Sequence, residues 1–196
     1  MEENNMTAHY DLVLIGGSAG SIQIILKALQ PLLPGNFAVV IVLHRKPSSD
    51  STLIDIFGGK TALRVKEADE KERIQPATVY IAPADYHLLI EKDGSFSLDD
   101  SEKVNFSRPS IDITFESAAE VYGSAAVAIL LSGASIDGIE GLQKIKTRGG
   151  LCIVQDPDTA EVDFLPRQAL LSIRPDHIAR PDEIGRILNG LNRKPA

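Results

Sequence analysis

The sequence predicts an α/β protein built on a single doubly wound, mostly parallel sheet flanked by helices, with a β-hairpin insertion. Three observations predict it. Continuous Val/Ile/Leu runs alternate with amphipathic segments along almost the whole chain, as expected of strands covered on both faces. A glycine-rich turn, Gly16-Gly17-Ser18-Ala19-Gly20, joins the first apolar run to the first amphipathic one. The segment Tyr86 to Leu98 breaks the rhythm, with Lys92-Asp93-Gly94 between two short apolar stretches, which is a hairpin pattern.

The apolar runs predict strands at Leu12–Ile15, Phe37–Leu43, Leu63–Lys66, Val79–Ala82, Ala126–Leu131 and Leu151–Gln155. Their β-branched content and lack of polar alternation suit a buried parallel sheet. Between and after them, apolar residues at helical spacing predict helices at Ile22–Leu33, Ser51–Phe57, Ile111–Val121, Ile139–Thr147, Pro166–Leu171 and Asp182–Leu191. Gly123 and Gly149-Gly150 stand where helix-terminating glycines belong. The polar stretch Asp99 to Arg108 reads as a loop leading to a helix that begins near Pro109.

A chain of 196 residues makes one domain with room for a full core. We expect residues 10–192 to form it, between a loose N-terminal tail (1–9) and a short C-terminal one (193–196). The net charge of −7 argues against a general nucleic-acid or anionic-membrane partner, while leaving room for a local basic patch at Arg45, Lys46 and Arg64. Cys152, the single cysteine, lies in an apolar run and has no partner for an internal disulfide, which fits a reducing compartment and a buried, inert thiol. Met1 to His9 lacks the basic and apolar regions of a signal peptide, and no run reaches the ~18 apolar residues of a membrane span. The expected setting is cytoplasmic.

The turn itself admits three readings. Gly16-x-Ser18-x-Gly20 fits a nucleophile elbow, in which small neighbours let a sharp strand-to-helix turn expose a hydroxyl, beside helix N–H groups able to stabilise an oxyanion. It also fits a phosphate or nucleotide cradle, although Ser18 and Ser21 stand where a dinucleotide fingerprint wants glycines. His44-Arg45-Lys46, rather than an acid, follows the second strand. The third reading is a plain structural turn. Ligands in open α/β sheets bind outside the carboxyl ends of the strands. Ser18 follows the first strand, His44 closes the second, and Asp137 lies in the loop after Ala126–Leu131. A hydroxyl, a base to take its proton and a carboxylate to orient that base can therefore converge. The order Ser…His…Asp differs from the Ser…Asp…His of α/β-hydrolases.

Five segments carry a family resemblance: Gly16 to Ser21, Leu43-His44, Pro76 to His87, Asn105 to Asp112, and Leu131 to Gly138. Over roughly Tyr10 to Gly190 the chain resembles the catalytic domain of the chemotaxis receptor methylesterases, the CheB family. The resemblance implies hydrolysis of glutamyl methyl esters on the cytoplasmic helices of chemoreceptors, with deamidation of certain glutamines. Ser18 would be the nucleophile, His44 the base and Asp137 the orienting acid, with amides around Ala19 and Ala134 near the oxyanion. It implies no metal or organic cofactor. The family's usual enzyme carries a regulatory receiver domain before this one. Only a short tail precedes Tyr10, so a stand-alone enzyme or one with a separate regulatory protein is expected, unless the chain is part of a longer one.

The chain also departs from the family pattern. Ala19 replaces a threonine, Ser21 a glycine, Ala134 a methionine, Ser135 another glycine and Ser107 a histidine, and Phe164-Leu165-Pro166-Arg167 is one residue shorter than its counterpart. These changes motivate a second hypothesis, a catalytically silent family member acting as a signalling interaction module. A nucleotide-binding α/β domain is the third. Elsewhere we expect His87 to pack or hydrogen-bond near the rim of the site, and Arg108 and Asp112 to serve a local structural role. Asp156-Pro157-Asp158 reads as a turn rather than a metal pair. Asp137 could alternatively cap the helix after Gly138, and His44 could simply close its strand. His9 and His177 belong to no constellation.

Overall fold

The computed structural model describes residues 9–45 and 51–191. The expected tails lie outside these residues, apart from His9, as does Lys46. In chain order the elements are β1 (Leu12–Gly17), α1 (Ser21–Leu29), β2 (Ala38–Leu43), α2 (Ser51–Gly58), β3 (Arg64–Glu67), β4 (Thr78–Ile81), β5 (His87–Ile90), β6 (Phe96–Asp99) and α3 (Ile111–Tyr122). They continue with β7 (Ala126–Leu130), α4 (Ile139–Thr147), β8 (Leu151–Gln155), α5 (Phe164–Ser172), β9 (His177–Ala179) and α6 (Pro181–Leu191).

Seven strands form one sheet in the order β3-β4-β2-β1-β7-β8-β9, and every pairing in it is parallel. β5 and β6 pair antiparallel as a separate hairpin. The predicted fold class is therefore the observed one. Alternate residues of each central strand serve opposite cores. Leu12, Leu14, Val40 and Val42 face α3, α4, α5 and the hairpin, whereas Val13, Ile15, Val39 and Ile41 face α1, α2 and α6. This is why the runs are apolar at every position.

From β1 the chain passes on one side to β2, then to the edge strand β3, and back to β4 between them, before crossing to β7 on the other side. β1 is thus the topological switch point, and the carboxyl ends of β1, β2 and β7 border one crevice. The hairpin is fastened to α3 by side chains on the helix: Thr114 Oγ1 donates to the Leu88 carbonyl at 2.7 Å and Ser117 Oγ accepts from the Ile90 amide at 3.0 Å. That attachment places His87 beside the start of α3.

Many element boundaries shift by a residue or more from expectation, and two of the shifts have a plain cause. α1 ends at Leu29 rather than Leu33, because Pro31 has no N–H to offer the preceding turn. α5 begins at Phe164, with Pro166 in its first turn, where no intrahelical N–H is needed. One strand was not predicted. β9 is three residues long at the sheet edge with two of them exposed, too short and too open to leave a pattern. The glycines after α4 behave as expected: the Gly149 and Gly150 amides donate back to the Lys146 and Ile145 carbonyls, closing the helix in a Schellman motif.

Candidate active site

The elbow after β1 is built by hydrogen bonds that the glycines alone do not supply. The Ser18 amide donates to the Ser132 carbonyl at 2.9 Å and to Ser21 Oγ at 3.1 Å. Ser21, fully buried, passes its own proton to the Ser132 carbonyl at 2.8 Å. The departure from glycine at 21 thus supplies a brace between the elbow and the loop after β7. Gly20 has φ +79°, and an added Cβ would lie 2.6 Å from Glu161 Cβ, so the position needs glycine on both counts.

The loop after β7 is anchored equally firmly. Ser132 Oγ donates to the Ala19 carbonyl at 2.7 Å and accepts from the Val162 amide at 2.9 Å. The Ser132 amide donates to the buried Gln155 Oε1 at 2.9 Å. A Cβ on Gly133 would sit 3.2 Å from Ser18 Cβ, so glycine lets the two loops close on each other. Among the described residues the amides of Ala19 and Ala134 donate no hydrogen bond, while those of Ser18 and Gly133 are already committed. Ala19 follows Ser18 directly and Ala134 lines the same depression as Ser18, so the two uncommitted amides belong to loops beside the serine.

His44, directly after β2, directs Nε2 to Asp137 Oδ2 at 2.6 Å. Its side chain is 11% exposed and that of Asp137 is wholly buried. Nδ1 is then the ring nitrogen left over, with no partner among the described residues. Two depressions meet at Ser18 and His44. One, of about 300 Å³, is walled by Ile22, Leu43, Leu53 and Ile56; the other, of about 510 Å³, by Asn105, Phe106, Ala134, Ile136 and Phe164. Ser18 Oγ makes no hydrogen bond among the described residues, and contacts of this kind commonly tighten only around substrate.

Asp137 does not cap its own helix. Gly138 occupies the N-cap of α4, and the carboxylate turns instead to the N-terminus of α3. There Oδ1 accepts from Ser110 Oγ at 2.6 Å and from the Asp112 amide at 3.2 Å, while Oδ2 accepts from the Ile111 amide at 2.7 Å. Burial opposes its ionisation, but the bonds from His44, Ser110 and Ile111 outweigh that cost and hold its pKa below the usual carboxylate value. An ionised, fully liganded carboxylate at a helix N-terminus is what an imidazole needs in order to become a stable imidazolium.

A second carboxyl lies beside it. Asp112, 3% exposed, accepts from the Gly141 amide at 2.8 Å and from Asn105 Nδ2 at 3.2 Å. Burial, with the charge of Asp137 adding to it, raises its pKa to about 7. The folded state therefore keeps a proton that the unfolded chain releases near pH 4. The sign follows: stability falls as pH rises from about 4 to about 7, and the loss is complete above that window. Asp112→Asn should abolish most of this decline, shifting Tm at pH 8 upward by on the order of 5 °C relative to its effect at pH 5. Thermal melts of both proteins across that range check it.

Other predicted residues fall into structural roles. Arg108 is saturated: Nε and Nη2 contact Asp85 Oδ1 at 3.1 and 2.8 Å, and Nη1 donates to the carbonyls of Asp100 and Ser101. Arg45 extends Nη2 to the Ala82 carbonyl at 3.4 Å. Asp156 accepts from the Asp158 amide and starts a single 3-10 turn. Cys152 is fully buried, and burial pushes its thiol up to about 12. The sequence reading missed the part played by Ser110. Its place after Arg108-Pro109 and before an apolar helical run was the available signal for an N-cap.

Ser18 and His44 thus line one depression where parallel strands end, and the buried Asp137 is bonded to His44 behind them. The CheB methylesterase family model matches residues 13–188, and the chain belongs to that family. A Leptospira interrogans protein carrying a provisional protein-glutamate methylesterase/protein-glutamine glutaminase name is 44% identical over 187 residues, spanning 94% of this chain and 96% of that protein. The protein-glutamate methylesterase/protein-glutamine glutaminase of Thermotoga maritima is 37% identical over 164 residues, 81% of this chain but only 47% of that protein. The crystal structure of the Thermotoga maritima CheB methylesterase catalytic domain superposes with a TM-score of 0.87 at 34% identity, covering 93% of this chain and 98% of that one.

Proposed function

We propose that this chain hydrolyses glutamyl methyl esters on the cytoplasmic helices of chemoreceptors, and deamidates receptor glutamines, by a Ser18–His44–Asp137 mechanism. The 2.6 Å contact between His44 and Asp137, at the edge of the pocket that also holds Ser18, carries the reading. His44 Nδ1 takes the proton of Ser18 Oγ as the oxygen attacks the ester carbonyl, and Asp137 stabilises the resulting imidazolium. The tetrahedral oxyanion lies against the free amides of Ala19 and Ala134. His44 returns the proton to the leaving oxygen, so methanol departs and a glutamyl-Ser18 ester remains. Water, deprotonated by the same imidazole, cleaves that ester to the carboxylate. With a glutamine substrate ammonia leaves in place of methanol.

The single buried thiol suits the cytoplasmic setting that this substrate requires, and among the described residues no helix is long and apolar enough to cross a membrane. The reading extends to residues 10–192 acting as one catalytic domain, and to a separate protein setting its rate. The experiment is methanol release from methylated receptor by the wild type and by His44→Gln. A base of this kind contributes on the order of 10²–10⁴-fold, so the variant should lose that much in kcat. Equal rates for the two proteins would refute the assignment. A silent interaction module, the second reading, would bind receptor with no turnover by either.

A further inference from the structure

We infer that His87, which lies outside the triad and touches no part of the pocket, is a positioning residue that sets the grip of α3 on Asp137. The inference rests on the mechanism proposed above.

His87 is the first residue of β5 and is fully buried. Its Nδ1 lies 3.1 Å from the Ser110 amide and its Nε2 lies 2.9 Å from the Glu102 carbonyl oxygen. An amide N–H only donates and a carbonyl oxygen only accepts. The ring is therefore neutral, with its proton on Nε2. In this tautomer both nitrogens are satisfied; a proton on Nδ1 would set two donors against each other.

The residue His87 holds is the one that holds Asp137. Ser110 is the N-cap of α3: its Oγ accepts from the Ile113 amide and donates to Asp137 Oδ1 at 2.6 Å. The next two amides, of Ile111 and Asp112, complete the cradle around the same carboxylate. A continuous chain of bonds thus runs from Glu102 through His87, Ser110 and Asp137 to His44. The capping hydroxyl already stabilises the start of α3, so His87 is not needed to cap it. What His87 adds is a fixed direction for the Ser110 backbone, and with it the placement of the hydroxyl and two amides aimed at Asp137. Residues that orient a functional group through one intermediary typically carry on the order of 10–100-fold in rate.

The test compares two variants that each keep one half of the ring's bonding. In His87→Asn, Oδ1 takes the place of Nδ1 and accepts from the Ser110 amide. In His87→Gln, the terminal amide nitrogen takes the place of Nε2 and donates only to Glu102. The readouts are the rate of fluorophosphonate labelling at Ser18, kcat and KM for methyl-ester hydrolysis, and the downfield proton of the His44 Nε2–H to Asp137 bond by NMR. His87→Asn is expected to stay within about 3-fold of wild type and to keep the resonance. His87→Gln should lose about 10-fold or more in labelling and kcat, keep KM, and broaden or lose the resonance.

Equal behaviour of the two variants, or better retention by His87→Gln, overturns the inference. So does an imidazole nitrogen spectrum of the wild type that places the His87 proton on Nδ1, a measurement that needs no variant to fold. Failure of the wild type to label at Ser18 would defeat the proposed function instead, and the resonance and tautomer would then decide the positioning role on their own.

Discussion

Ser18→Ala is expected to abolish methanol release from methylated receptor, lowering kcat/KM by roughly ten-thousand-fold or more, with Tm essentially unchanged. The hydroxyl makes no hydrogen bond among the described residues, so its removal costs the fold nothing. What anchors the elbow is the Ser18 amide, held by Ser132 and Ser21, and alanine retains it. The separation of a large kinetic loss from an unaltered melt is the informative part. A structural serine would show the reverse.

Asp137 is expected to behave differently, because the proposed mechanism and the fold both draw on it. Asp137→Ala leaves the Ser110 hydroxyl, the Ile111 and Asp112 amides and the His44 ring without their acceptor in a fully buried place. A loss of about 3 kcal/mol or more in stability is expected. Asp137→Asn keeps the shape but turns an amide N–H toward groups that are themselves donors. It should lower kcat by on the order of 10³–10⁴-fold, the scale of a wrongly oriented imidazole. The stabilisation by the carboxylate is fully present above its unfolded pKa near 4 and is lost as pH falls through the lower folded value. Acid unfolding of Asp137→Asn should lack that component. Denaturant melts at pH 7 and pH 3, with ester hydrolysis at pH 7, check both statements.

Much of this architecture was legible in the residues. The strands next to β1 are apolar at each position because both faces are covered, and that pattern survives any choice of register. Ser18, His44 and Asp137 were singled out by one geometric fact: each follows a strand whose carboxyl end borders the switch point. β9 escaped because three residues at a half-exposed edge carry no periodicity. α1 was drawn too long because apolar residues continue through Pro31 to Leu33, and hydrophobic spacing alone does not register a missing N–H.

The support of the site was harder to read. Asp137 precedes Gly138 and a helix, so locally it resembles an N-cap. Only the approach of α3, brought in by Gly141 and the hairpin, shows that it serves a different helix from the one it precedes. Ser21, a departure from the family pattern, looked like damage to the elbow. In the folded chain its hydroxyl braces Ser18 against Ser132. Such roles depend on contacts between residues distant in sequence, 27 positions apart for Ser110 and Asp137 and 111 for Ser21 and Ser132, and spacing along the chain carries no trace of them.

The measurement that tests the central claim most directly is fluorophosphonate labelling of the purified protein, with the modified residue located by mass spectrometry. It needs no knowledge of the true receptor. The account predicts a single adduct on Ser18, formed rapidly by the wild type, more slowly by on the order of 10²-fold or more in His44→Gln, and absent from Ser18→Ala. An adduct on another residue, or labelling of Ser18 at the same rate with and without His44, would contradict it.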